Sequence, residues 1–385
     1  ARALTTAASA LTLAAGALTL APAPAHADDG VPSQEYFSYY HLDSARQKGY
    51  TGKGVTIALI DAGVNTSEPA LKGANVTDKS RCTVDTNAEG TRHATEMATI
   101  LVSPYTGVAP DATLYSYQST NSGTQSGGTC AANGAELNST GALINQAVED
   151  GAQIISISQS DSDNSTEIKW AIANAVSRGV IIVASVGNNA TDENSRHLSR
   201  WSGVVGVSAI NSDGTFASYS SWGNGVVTAA IGGPYNSYDP STNEPTTVSG
   251  TSVSTALVAG MLALARQKWP EATPNQILQS LVHSGLNPNH EWNKYTGYGA
   301  IDGGGLVIDD PSQYPDENPL LNKPGGSEPT ADEVADYADG LINPAGEREV
   351  PDSYVYRGAD DQVVLYHAEL KTPLHLGTSP RYHRK

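Results

Sequence analysis

Positive charge is scarce in this chain. Its 385 residues carry 22 Lys and Arg against 40 Asp and Glu, a formal net charge of −18. Proteins that hold phosphate backbones cluster Lys and Arg, so this balance argues against nucleic acid as a partner. Acidity of this kind serves solubility. Cysteine is scarcer still: Cys82 and Cys130 are the whole supply, too few for a structural zinc site. Beyond residue 21 no apolar run is long enough to span a bilayer. A G-x-G-x-x-G or Walker-type loop behind a strand is also missing, which argues against a nucleotide-dependent enzyme. There is no convincing internal repeat and no sorting motif.

What is present begins at the N-terminus. Arg2 precedes an apolar run from Ala7 to Ala21, and Ala25-His26-Ala27 follows. A basic start, a short apolar core and an A-x-A site describe a secretory signal peptide over 1–27, cleaved after Ala27. A membrane anchor is the alternative, and the run is short for one. The reading is therefore an exported protein with no stable membrane insertion after signal removal. In such a compartment Cys82 and Cys130 are candidates for a disulfide, with two free thiols as the alternative.

A short extension, 28–50, leads into an alternation of elements. GVTIALID (54–61), ATLYSYQ (112–118), QIISIS (153–158), VIIVASVG (180–187) and VVGVSAI (204–210) read as buried strands. HATEMATILV (93–102), TGALINQAVEDG (140–151) and EIKWAIANAVSRG (167–179) read as helices. Nearly continuous apolar strands alternating with helices predict an α/β fold, a parallel sheet covered on both faces. Ligands of such sheets bind beyond the carboxyl ends of the strands. The block ends near 308. From 310 to 361 there are thirteen Asp and Glu against three Lys and Arg, with many Pro and Gly. Residues 309–385 therefore read as an acidic linker and tail, with a short helix at ADEVADYADGL and a hairpin from SYVYRG and QVVLYHAEL.

Four residues fall where this architecture places chemistry. Asp61 ends a strand, His93 opens a helix, Asn188 follows the strand VIIVA, and Ser252 opens the helix of GTSVSTALVAGMLALA. Each has an ordinary reading: a turn residue, a surface histidine, a turn residue, a helix cap. Together they supply a nucleophile, a base, a group that orients the base, and a donor for a developing oxyanion.

The motifs around them resemble the subtilisin-like serine proteases. The order Asp, His, Ser is that family's order. GVTIALIDAGVN is similar to its Asp motif, GTRHATEMATIL to its His motif, IVASVGNNA to the strand ending in the oxyanion Asn, and GTSVSTALVAG to its Ser motif. The similarity covers about 50–308. It implies a three-layer α/β/α fold with a mostly parallel central sheet and a peptidase domain over 51–308. It also implies a serine endopeptidase in which Asp61 orients His93, Ser252 attacks the peptide carbonyl, and Asn188 with the Ser252 N–H stabilises the oxyanion. Ser158, Gln159 and Ser160 are then expected to pair with an extended protein or peptide substrate. The expected working unit is a monomer. A catalytically weak or inactive peptide-binding protein on the same fold is the alternative.

This chain departs from the family pattern in places. Val253 to Ala256 replace the usual Met, Ala and Pro stretch after the Ser. Ala94 stands for a Gly, and Glu96 replaces a second His; its charge is expected to raise the His93 pKa. Gln159, Ser160 and Asp161 replace a Gly-rich strand, so substrate preference is expected to differ. The link LVSPYT is too short for the calcium loop of many members, so no metal or other cofactor is expected. The short N-terminal extension is similar to that of the mycosins, secreted actinobacterial members of the family.

Overall fold

The computed structural model describes residues 31–342, apart from 85, 121–129, 133–134, 160–164, 194–196, 240–241, 243, 289–290, 325–326 and 341. Two short helices come first, α1 (Glu35–Tyr39) and α2 (Leu42–Gln47). Strand β1 (Thr56–Asp61), β2 (Val76–Asp78), helix α3 (Ala88–Val102) and β3 (Thr113–Gln118) follow. A two-residue hairpin, β4 (Ala131–Ala132) with β5 (Ala135–Glu136), precedes α4 (Thr140–Glu149) and β6 (Ile154–Ile157). Then come α5 (Thr166–Ser177), β7 (Ile181–Ser185), β8 (Val204–Ile210) and β9 (Val226–Ile231). The hairpin β10 (Tyr235–Tyr238) and β11 (Pro245–Val248) leads into α6 (Thr251–Lys268), α7 (Pro274–His283), α8 (Gly303–Ile308) and α9 (Ala331–Ala338).

Seven strands form one sheet in the order β2-β3-β1-β6-β7-β8-β9, and every neighbouring pair is parallel. The chain leaves β1 toward β3 and returns to β6 on its other side. The strand order therefore reverses at β1, which opens a crevice at its carboxyl end. Alternate residues of β1 feed two cores. Ile57 and Leu59 pack with α3 and α6, whereas Ala58 and Ile60 pack with α4 and α5. This is the expected three-layer α/β/α arrangement. Helix α6 is buried nearly all round, consistent with its run of small and apolar residues. Among the described residues no helix is long and apolar enough to cross a membrane.

The stretch after 308, read from composition as a linker, differs from that reading over 309–342. The Leu320 carbonyl accepts from Gly203 N (3.0 Å), and that of Glu328 from Ser202 N (2.9 Å). Helix α9 lies on α5, where Val334 and Ile342 are buried with Trp170 and Tyr337 stacks on that indole. Lys169 bonds Glu333 at 2.8 Å. Lys323 is buried, and its Nζ donates to the carbonyls of Ser199 (2.7 Å) and Gly225 (3.0 Å). A few apolar side chains in a Pro- and acid-rich stretch suffice to dock it. The hairpin expected from SYVYRG and QVVLYHAEL lies outside the described residues, as does the expected signal peptide.

Candidate active site

Asp61 is the last residue of β1 and is 1% exposed. A carboxylate this buried needs donors. Its Oδ1 accepts from Ala62 N at 2.7 Å, and His93 Nδ1 lies 3.1 Å from Oδ1 and 3.0 Å from Oδ2. His93 does not open its helix: α3 starts five residues earlier, capped by the Asn87 side chain, which accepts from Gly90 N at 2.8 Å. The histidine thus sits in the second turn, over the end of β1.

Burial works to lower the His93 pKa, but the Asp61 charge and hydrogen bond, aided by Glu96, more than offset it. The net value lies above the usual 6.5. A third of the side chain reaches solvent, which softens the burial cost. Glu96 is held by Arg92 Nη1 (2.9 Å) and by Ser237 Oγ (2.5 Å), both on its Oε1. Glu68, Glu96, Tyr235 and Ser237 are among the residues lining a cavity of about 660 Å³ beside this helix.

Ser252 is not the cap of α6. Gly250 holds that position, and the Ser252 hydroxyl donates instead to the Ser158 carbonyl, at 3.4 Å. Among the described residues this is its only hydrogen bond; none runs to His93. Nucleophile–base contacts often tighten only when substrate is bound. Asn188 follows β7, and its Oδ1 accepts from Thr251 N (2.8 Å) and Thr251 Oγ1 (3.0 Å). With the oxygen so engaged, the hydrogen-bond pattern assigns Nδ2 to the open side. A Cβ on Gly250 would stand 3.1 Å from that Nδ2, so glycine here leaves the amide room.

Ser158 and Gln159, just beyond β6, are 7% and 5% exposed. Both polar atoms of the Gln159 amide are buried without a hydrogen-bond partner among the described residues. Ser160 lies outside the described residues. The structure therefore brings Asp61 to His93, and Ser252 to Ser158 and, through Thr251, to Asn188. These groups stand at the carboxyl ends of three adjacent strands, β1, β6 and β7. Cys82 and Cys130 form a disulfide with their Cα atoms 6.3 Å apart. Sequence reasoning did not single out Thr251 as the anchor of Asn188; its place beside Ser252 was the available signal.

Residues 52–299 match the subtilase family of serine peptidases. The chain belongs to the subtilase family. It is 30% identical over 275 residues to a thermostable alkaline protease of Halalkalibacterium halodurans, covering 70% of each chain. It is 29% identical over 266 residues to subtilisin DY of Bacillus licheniformis, covering 67% of this chain and 93% of that one. Among solved structures, MycP1 of Mycobacterium smegmatis aligns over 76% of this chain and 86% of its own, with a TM-score of 0.56 and 24% identity. As a subtilase the chain is a serine-type protease whose substrates are proteins or peptides.

Proposed function

We propose that this subtilase is a secreted endopeptidase working through Asp61, His93 and Ser252. The observation that carries the reading is the buried Asp61 carboxylate with both oxygens at about hydrogen-bond distance from His93 Nδ1. That bond fixes a proton on Nδ1 and leaves Nε2 as the basic nitrogen. His93 then takes the Ser252 hydroxyl proton as Oγ attacks the peptide carbonyl, and passes it to the leaving amine. Asp61 stabilises the imidazolium formed in between. The Asn188 Nδ2 and the Ser252 N–H, at the start of α6, face the oxyanion. Water repeats the attack on the acyl-enzyme, with His93 again as base. Ser158, Gln159 and Ser160 pair with extended substrate. Secretion is supported by the signal-like N-terminus and the disulfide.

A fluorophosphonate probe is expected to label the wild type and not Ser252→Ala. Equal labelling of both would refute the assignment. The bond from Ser252 to Ser158 rather than to His93 favours a second reading, a weakly catalytic peptide-binding protein. Failure to cleave any member of a peptide library, with retained binding of extended peptides, would establish that one.

A further inference from the structure

We propose that Glu193 is a positioning residue for the oxyanion hole, holding from behind the turn that carries Asn188. This rests on the reading of Asn188 as an oxyanion donor. The turn is Gly187 to Ala190, and two of its residues have left-handed backbone. Gly187 has φ +96°, and a Cβ there would come within 2.5 Å of the His197 ring. Ala190 has φ +52°, an unfavourable setting for a residue with a Cβ. Such strain persists only where the surroundings over-determine it, and it clusters at functional sites.

The surroundings do so here. Ser221 N donates to the Gly187 carbonyl (2.9 Å), Asn189 N to Ser221 Oγ (3.1 Å) and Ala190 N to the Tyr219 carbonyl (3.0 Å). Glu193 closes the turn from its far end. It is 4% exposed, and its Oε1 accepts from both Asn189 Nδ2 (3.1 Å) and Thr191 Oγ1 (2.8 Å). Its backbone N is fixed on the Trp222 carbonyl (2.9 Å). The other carboxylate oxygen, Oε2, is buried with no hydrogen-bond partner among the described residues. A buried, half-satisfied carboxylate is costly, and stability alone would favour an apolar side chain. Such local conflicts concentrate at functional sites.

Two clamps therefore meet at Asn188. Thr251, beside the nucleophile, fixes the side-chain amide. Glu193 fixes the backbone that follows, through Asn189 and Thr191. Without the carboxylate, Ala190 is free to relax out of the left-handed region and to carry Asn188 with it. An oxyanion donor acts over a few tenths of an ångström, so a small displacement falls on turnover and leaves substrate affinity nearly untouched.

The test is a double-mutant cycle on the purified full chain, reading kcat and KM with a cleaved peptide. Glu193→Ala is expected to lower kcat about tenfold or more, with KM within about twofold. Glu193→Gln keeps an acceptor oxygen for both donors and is expected to stay within about threefold of wild type. In an Asn188→Ala background, Glu193→Ala is expected to cost less than about twofold more, because the donor it positions is gone. An equal factor in both backgrounds would overturn the proposal, as would a Gln variant no better than Ala. If Glu193→Ala does not fold, Asn189→Ala and Thr191→Val remove the same contacts one at a time and enter the same cycle. A wild type that cleaves no peptide and takes no fluorophosphonate refutes the Ser252 assignment first, and this inference with it.

Discussion

Lys323 makes a pH effect that can be worked out in advance. Its ammonium is buried against two carbonyl oxygens, and burial brings its pKa down from 10.5 to about 7. Between those values the unfolded chain holds more protons than the folded one. Stability must therefore rise with pH across that window, by at most about 1.4 kcal/mol per pH unit. From pH 7 to pH 9 the gain from this one group comes to roughly 2 kcal/mol. For a folded unit of this size that is a rise in Tm of roughly 3 °C. The perturbation is Lys323→Met, which keeps the apolar stem and removes the titration. It also leaves the Ser199 and Gly225 carbonyls without their donor, so the variant is expected to be less stable at pH 9, by about 1–3 kcal/mol. The assay is thermal unfolding at pH 7, 8 and 9, in a Ser252→Ala background that lacks the proposed nucleophile, to guard against self-digestion. Subtracting the two pH curves isolates Lys323 from every other titrating group. The stability of the wild type relative to the variant is expected to rise by roughly 2 kcal/mol from pH 7 to pH 9. Parallel curves would refute the argument, because a lysine exchanging freely with solvent gives no slope there.

Other expectations concern the site and its surroundings. In the proposed mechanism deprotonated His93 is the base, so kcat/KM is expected to rise with pH through an apparent pKa above the usual 6.5. Glu96→Gln removes a charge that raises it, so the midpoint of the pH–rate profile should move down; an unmoved midpoint would mean that Arg92 already cancels Glu96. Gln159→Leu replaces a buried amide that has no partner among the described residues and is expected to stabilise the fold by about 1–3 kcal/mol, read as a higher Tm. A lower Tm would show that the amide is satisfied in solution. The disulfide spans 48 positions, and replacing both Cys82 and Cys130 by Ala is expected to cost up to about 4 kcal/mol by the chain-entropy argument. A Tm insensitive to both the substitution and reductant would refute that figure.

Much of the central sheet was legible because its strands are buried on both faces. VVGVSAI was read as 204–210, which are the bounds of β8, and ATLYSYQ came within one residue of β3. The start of α3 was not legible: its first turn, AEGTR, is polar, and the apolar periodicity that marks a helix begins only at Ala94. Strands β10 and β11 escaped notice because they pair only with each other and bury little. The positions of Asp61, His93, Asn188 and Ser252 could be read because each sits in an extended motif. Glu193 could not, since it lies in the polar run TDENSR and nothing in that run reveals its burial. The docking of 309–342 was hidden for the opposite reason: its composition is that of a linker, and the few side chains that anchor it are far apart in sequence.

Arg46 gives the N-terminal extension a significance beyond its length. Its guanidinium reaches the turn that follows α3, donating to the carbonyls of Pro104 (2.7 Å), Tyr105 (3.1 Å) and Gly107 (2.6 Å). Lys323 does the same from the other end of the chain, at Ser199 and Gly225. Both basic side chains lie outside 52–299, the span that family resemblance marks out. A chain cut to that span would keep every residue proposed for catalysis and lose both fastenings, leaving bare carbonyls behind them. The span marked out by family resemblance and the packed unit are therefore of different lengths in this protein, and two basic side chains, in a chain that has few, tie the difference down.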